Sequence, residues 1–197
     1  MLLEGGIIGF ILGKVRKGRF SNLAHVSLRA WPLIFIAFFI QISPALFQRF
    51  SFLSYVQTYT YGLSIMILVG LLVLNLDKKG SKVLLIGLVL NLLVILLNGW
   101  RMPISIEGLR LAGMEDLIEA IVSGRVTNFM ALETTGNWSQ YLAKFIVIPK
   151  PYPLSKVISI GDLFITLGLI LFIYGEMTKN HLHSRSRMIK FGYKGTI

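Results

Sequence analysis

Cysteine is absent from the 197 residues. That excludes disulfides, thiolate nucleophiles and Cys-ligated metal sites, and it leaves the redox compartment open. Histidine is scarce, and none of the three falls inside an apolar run. A haem held by two axial histidines and a helical HExxH zinc site are therefore not expected. No glycine loop ends in Lys-Ser or Lys-Thr, so no phosphate-binding loop is present. Charge is thin at 15% of residues, and it is one-sided, with 9 acids against 20 Lys and Arg. Repeats and low-complexity tracts are missing as well.

What is there is apolar: 54% of residues are hydrophobic, and the mean hydropathy is +0.71. That is too apolar for an ordinary soluble fold. A net charge of +11 raises the question of nucleic acid. The basic residues, however, sit between apolar runs, where membrane orientation accounts for them and nucleic acid does not.

The chain is organised around Val83 to Pro103, VLLIGLVLNLLVILLNGWRMP. Val83 to Leu97 is apolar or small except for Asn91, a composition that suits a bilayer. Four further runs share this character. Together they predict an all-α membrane bundle of five transmembrane helices in a single domain spanning 1–197. The spans fall near 2–18, 30–48, 57–76, 83–100 and 157–176.

The first run has Glu4 before it and Lys14, Arg16, Lys17 and Arg19 after it. That is the reverse of a cleaved leader. It is short for a span, and a helix lying in the interface is the alternative. Gly5, Gly9 and Gly13 recur at four-residue steps, forming a smooth stripe for helix packing. Trp31 and Pro32 suit the start of the second span, with Arg49 at its far side. Phe52, Tyr55, Tyr59 and Tyr61 suggest an aromatic belt.

With five spans the loops alternate sides. The segments 14–29, 77–82 and 179–197 hold 13 Lys and Arg on one side, against 7 on the other. The positive-inside rule then puts the amino terminus outside and the basic tail in the cytoplasm.

The outer segment, 101–156, is too long for a connector. Met114 to Val122 has amphipathic helical spacing. A second short helix is expected from Trp138 to Ile146. Pro149, Pro151 and Pro153 make Ile148 to Ser155 read as extended and stiff.

Asp162 is the costliest residue, since an ionised carboxylate near the bilayer centre costs about 2.5–3.5 kcal/mol. Ser159 to Asp162 also has capping-box spacing. A capping role and a functional one both fit, and an ion pair with Arg101 is compatible with either. Asn98 adjoins Gly99, Arg101 and Met102 where the fourth span must end. Asn98, Arg101, Met102 and Asp162 are therefore the candidate ligand site at the outer face, while Asn91 reads as an interhelical hydrogen-bonding residue. Glu133, Thr134 and Trp138 offer outer-loop contacts, or else a solvated cap. His181 and His183 belong to the tail. An intramembrane aspartyl dyad fails because Asp77 lies at the opposite face from Asp162. No catalytic residues, metal or cofactor are expected.

LNGWRMPIS at 97–105 and IPKPYPLSKVISIGDLFITLG at 148–168 resemble signatures of the DUF5317 family, uncharacterised bacterial membrane proteins. The opening GGIIGFILGKVRKGRFSNL is similar to that family's amino-terminal segment too. The resemblance implies the bacterial cytoplasmic membrane and brings no activity with it. Trp100 and Arg101 stand where mostly small residues are expected, which implies a narrower or more cationic pocket. The reading that follows is a non-catalytic membrane protein binding a partner subunit or a small polar or lipid headgroup at its outer face. A transporter or channel component is the alternative. A further one is an enzyme on a membrane-borne substrate, with Asp162 as acid or base and Arg101 steadying an anion.

Overall fold

A computed structural model describes residues 1–46, 54–136 and 138–179. Arg49, Phe52, Asn137 and the basic tail from residue 180, with His181 and His183, lie outside the described residues. The chain is mostly helical. Five apolar helices form its body: α1 (Leu2–Val15), α3 (Pro32–Leu46), α4 (Ser54–Leu74), α5 (Ser81–Leu97) and α8 (Ile160–Met177). A one-turn α2 (Ser21–Ala24) lies between the first two. Two stretches, Val56–Leu74 and Ile160–Met177, are long and apolar enough to cross a membrane, and Pro32–Ser43 and Ser81–Leu97 are shorter.

The centre of the body is α8, with α1 on one face and α5 on another; α4 packs on α5, and α3 on α4. Glycine explains why α8 is central. Gly161, Gly168 and Gly175 recur every seven residues, two helical turns, and so share a face. A Cβ on Gly87 of α5 would lie 2.5 Å from the Gly161 carbonyl oxygen, and one on Gly168 would lie 2.5 Å from the Leu84 nitrogen. The two backbones thus touch with nothing between them, and they run antiparallel. On its other side α8 runs parallel to α1. A Cβ on Gly5 would meet Thr166 at 3.0 Å, on Gly9 the Ile170 Cα at 3.1 Å, and on Gly13 the Met177 sulfur at 2.5 Å. Small residues permit this close approach where dispersion has to drive association.

Hydrogen bonds sort the helix ends. Lys156 is ion-paired with Glu4, so α1 begins at the end of the bundle where α8 begins. At the opposite end Asn22 Nδ2 donates to the carbonyls of Met177 (2.8 Å) and Lys179 (2.9 Å). Buried Asn75 there donates to the Arg29 carbonyl at 2.9 Å and accepts from the Arg29 amide at 2.8 Å.

The segment between α5 and α8 departs from an all-α reading. It holds β1 (Met102–Ile104), α6 (Ile106–Leu111), α7 (Glu115–Val122), β2 (Phe129–Ala131), β3 (Ile146–Ile148) and β4 (Lys156–Ile158). β1 pairs in parallel with β2, and β3 antiparallel with β4. The helix expected over Trp138 to Ile146 is replaced by a 3-10 turn, Ser139–Tyr141, and then β3. Ile-Val-Ile is a β-branched run, and such residues favour a strand. The proline stretch does not run straight. It is the loop of the β3–β4 hairpin, so α8 begins at Ile160 and not at 157. A small core of Ile104, Leu109, Ala112 and Val157 holds this cap together.

Candidate functional site

Ser159 caps α8: its hydroxyl accepts from the Asp162 amide at 3.0 Å, and Asp162 Oδ2 accepts from the Ser159 amide at 3.1 Å. The capping box therefore forms, and the Asp162 carboxylate lies in the first turn of α8 rather than deep along it. Asn91 of α5 joins it, donating to Asp162 Oδ1 at 2.9 Å and accepting from the Ser159 hydroxyl at 2.7 Å. Asn91 reaches this point because Gly161 leaves room: a Cβ there would lie 2.3 Å from Asn91 Oδ1.

The cation on Asp162 is Lys144, not Arg101. Lys144 pairs with Asp162 Oδ2, and the two side chains are 13% and 15% exposed. Arg101 is exposed, and among the described residues it makes no ion pair. The cap delivers Lys144 through backbone pairing. Its amide donates to the Pro103 carbonyl, and its carbonyl accepts from the Ser105 amide, each at 2.9 Å. Burial works to lower the Lys144 pKa, but the negative charges of an ionised Tyr61 at high pH and of the Asp162 carboxylate outweigh it and hold the ammonium above its usual range.

The remaining candidates are separated from this centre. Asn98 caps the end of α5, donating to the Val94 carbonyl at 2.7 Å and to the Ser139 hydroxyl at 3.2 Å. Met102 is fully buried in a core cluster with Val94 and Ile95. Glu133 and Thr134 are exposed on a 3-10 turn, and Thr134 donates to the Ala131 carbonyl at 2.7 Å. Trp138 is half exposed. Trp100 is not among the residues lining the groove described below. Its ring rests on Gly62 and lies 5.4 Å from the Tyr59 ring, closing α4 onto α5.

Sequence reasoning missed Lys144. Its signal was a lone cation between Leu142-Ala143 and Phe145-Ile146. Tyr61, one of the aromatic residues read as an interfacial belt, packs on Phe129 of the cap at 6.1 Å between ring centroids.

From Asp162 a groove of about 480 Å³ runs along the bundle, lined by α3, α4, α5, α8 and the start of α1. Leu68, Leu72, Leu88, Ile165, Leu169 and Phe172 give its apolar character. Asp162, Asn91, Tyr61, Gln41 and Ser64 supply polar groups. Asp162 to Phe172 spans about 15 Å of helix, and the volume lies within the roughly 300–1,000 Å³ of small-molecule sites.

Fold and site thus define a helical protein with two helices fit to cross a membrane and an ion-paired centre opening onto an apolar groove. The chain belongs to a family of unknown function, DUF5317, whose model matches residues 25–174. An uncharacterized protein of Thermotoga maritima is 24% identical to it over 172 residues, covering 87% of this chain and 89% of that protein. No solved structure matches.

Proposed function

We propose that this is a non-catalytic, five-span protein of the bacterial cytoplasmic membrane that binds a lipid-like amphiphile in its groove. The polar part would lie by Asp162 at the outer face. The observation that carries the reading is the joining of one buried polar centre to one long apolar groove, a shape complementary to a molecule with a head and a tail. The outward helix faces support the bilayer: Ile7, Ile11, Phe35, Phe39, Leu93 and Leu167 are exposed, and apolar surface this extensive is not tolerated in water. The separation of helix ends supports an outer amino terminus and cap, with the basic 14–29 and 77–82 loops facing the cytoplasm.

The absence of cysteine makes topology directly testable. Single cysteines replacing Glu115 and Lys78 should react differently with a membrane-impermeant maleimide. In spheroplasts the cap position should label at once, and the loop position only after lysis. Labelling of Lys78→Cys in intact spheroplasts would overturn the orientation.

Binding has its own measurement. Native mass spectrometry of the protein purified in mild detergent should find a lipid-sized molecule retained, and Leu88→Trp, which fills the groove, should release it. Retention unchanged by Leu88→Trp would remove the groove from consideration.

A further inference from the structure

Resting on that reading, we infer that the groove selects an amphiphile whose head is uncharged and bears a hydrogen-bond acceptor, received by the Tyr61 hydroxyl. The first ground is charge. Asp162 is the one carboxylate among the described residues lining the groove, and the one ammonium among them, at Met1, is already taken up by Glu4. The carboxylate is already neutralised by Lys144. An anionic head would meet Asp162 with no cation left to balance it. A cationic head would have to displace a buried ammonium that the cap's backbone holds in position. In a weakly screened setting either mismatch is costly, whereas a neutral head disturbs nothing.

The second ground is hydrogen bonding. Asp162, Asn91 and Ser159 satisfy one another in a closed set. Tyr61 is different. It lines the groove together with Asp162, yet among the described residues its hydroxyl makes no hydrogen bond. Gln41 lines the same region, and its carbonyl oxygen receives only a long 3.5 Å contact from the Ser64 hydroxyl. Its amide nitrogen is therefore a second donor available to a ligand. A phenol hydroxyl and a carboxamide N–H facing one space recognise an acceptor, such as an ester or ketone carbonyl or a hydroxyl oxygen. Beyond them Leu68, Leu72, Leu88, Ile165 and Leu169 make most of the lining apolar, which suits a hydrocarbon tail, with Asn75 and Ser81 the polar residues at the far end.

Three probes sharing one oleoyl or oleyl chain separate these requirements. Monoolein has a neutral glycerol ester head, 1-oleoyl-glycerol-3-phosphate adds only a phosphate, and oleylamine carries a cation. Each is titrated onto the full-length protein in a mild detergent and read by native mass spectrometry. Monoolein should be retained at least about tenfold more tightly than either charged probe. Tyr61→Phe, which removes one hydroxyl and keeps the ring on Phe129, should weaken monoolein by about three- to tenfold, the worth of one hydrogen bond. Gln41→Leu, at an exposed position, provides the second variant should Tyr61→Phe fail to fold. Equal or tighter binding of a charged probe overturns the inference and leaves the groove reading standing. Monoolein binding that is indifferent to both substitutions overturns the Tyr61 role. Retention of none of the three overturns the inference and the proposed function together.

Discussion

Lys144→Met is expected to destabilise the protein by about 3 kcal/mol or more, since removing one partner of a buried ion pair typically costs about 3–5 kcal/mol. The reason is what stays behind. Asp162 would keep its bonds from Asn91 and Ser159 but lose the one cation it pairs with among the described residues, at 15% exposure. Asp162→Asn should be similarly costly, because it leaves the Lys144 ammonium unpaired while preserving an oxygen for the helix cap. Lys144→Met combined with Asp162→Asn should cost well under the sum of the two, as expected for residues in contact. Arg101→Met is the control. Exposed and without an ion pair among the described residues, it should fall within about 0.5 kcal/mol of the parent.

Thermal unfolding in one detergent, with all four variants, checks the set. Strict additivity of the two single losses would show that the pair contributes nothing. The pH dependence follows from the same contact. The Lys144 pKa lies above its ordinary 10.5, so the ammonium's contribution is complete below that value and is lost only as pH rises through the raised one. Lys144 should therefore produce no loss of stability through the neutral range.

Gly87→Leu should prevent α5 and α8 from meeting. A Cβ at Gly87 would lie 2.5 Å from the Gly161 carbonyl oxygen and 2.7 Å from the Ile165 nitrogen. Both are backbone atoms of a regular helix and cannot rotate aside. Even Gly87→Ala should cost about 1–3 kcal/mol, the usual range for overpacking. Gly70→Ala, within α4, is the opposite case. Nothing lies within 4 Å of a Cβ there, and alanine is favoured over glycine in a helix by about 1 kcal/mol. The two alanine variants should move the melting temperature in opposite directions. Equal shifts would mean that the α5–α8 crossing is looser than its geometry requires.

Much of the helical body was legible because composition and periodicity are local. The apolar runs correspond to α1, α3, α4, α5 and α8, and the amphipathic spacing of 114–122 to α7. The four-residue glycine stripe of α1 is a local signal whose partner, α8, only the fold identifies. The matching seven-residue stripe of Gly161, Gly168 and Gly175 on α8 is equally present in the sequence. The site was legible in half. Ser159 and Asp162 declared a helix cap by their spacing, and Asn91 declared an interhelical bond by being polar in an apolar helix. Arg101 was the wrong cation for a concrete reason. It is close in sequence to the end of α5, but the left-handed residues Gly99 and Trp100 (φ +63° and +66°) turn the chain there, and Arg101 ends exposed.

The sequence by itself determined that the chain is a set of apolar helices, where most of them begin, and that an acid would stand at the start of the last. These depend on residue type and on spacing within one segment. Only the tertiary structure decided that Lys144 answers that acid. Its position comes from main-chain pairing between residues 103–105 and 144, and backbone hydrogen bonds over such a separation carry no side-chain signature. The groove was decided in the same way. Its wall is shared among five helices, and Leu88, Ile165 and Phe172 read alike whether they face a core, a lipid or a cavity.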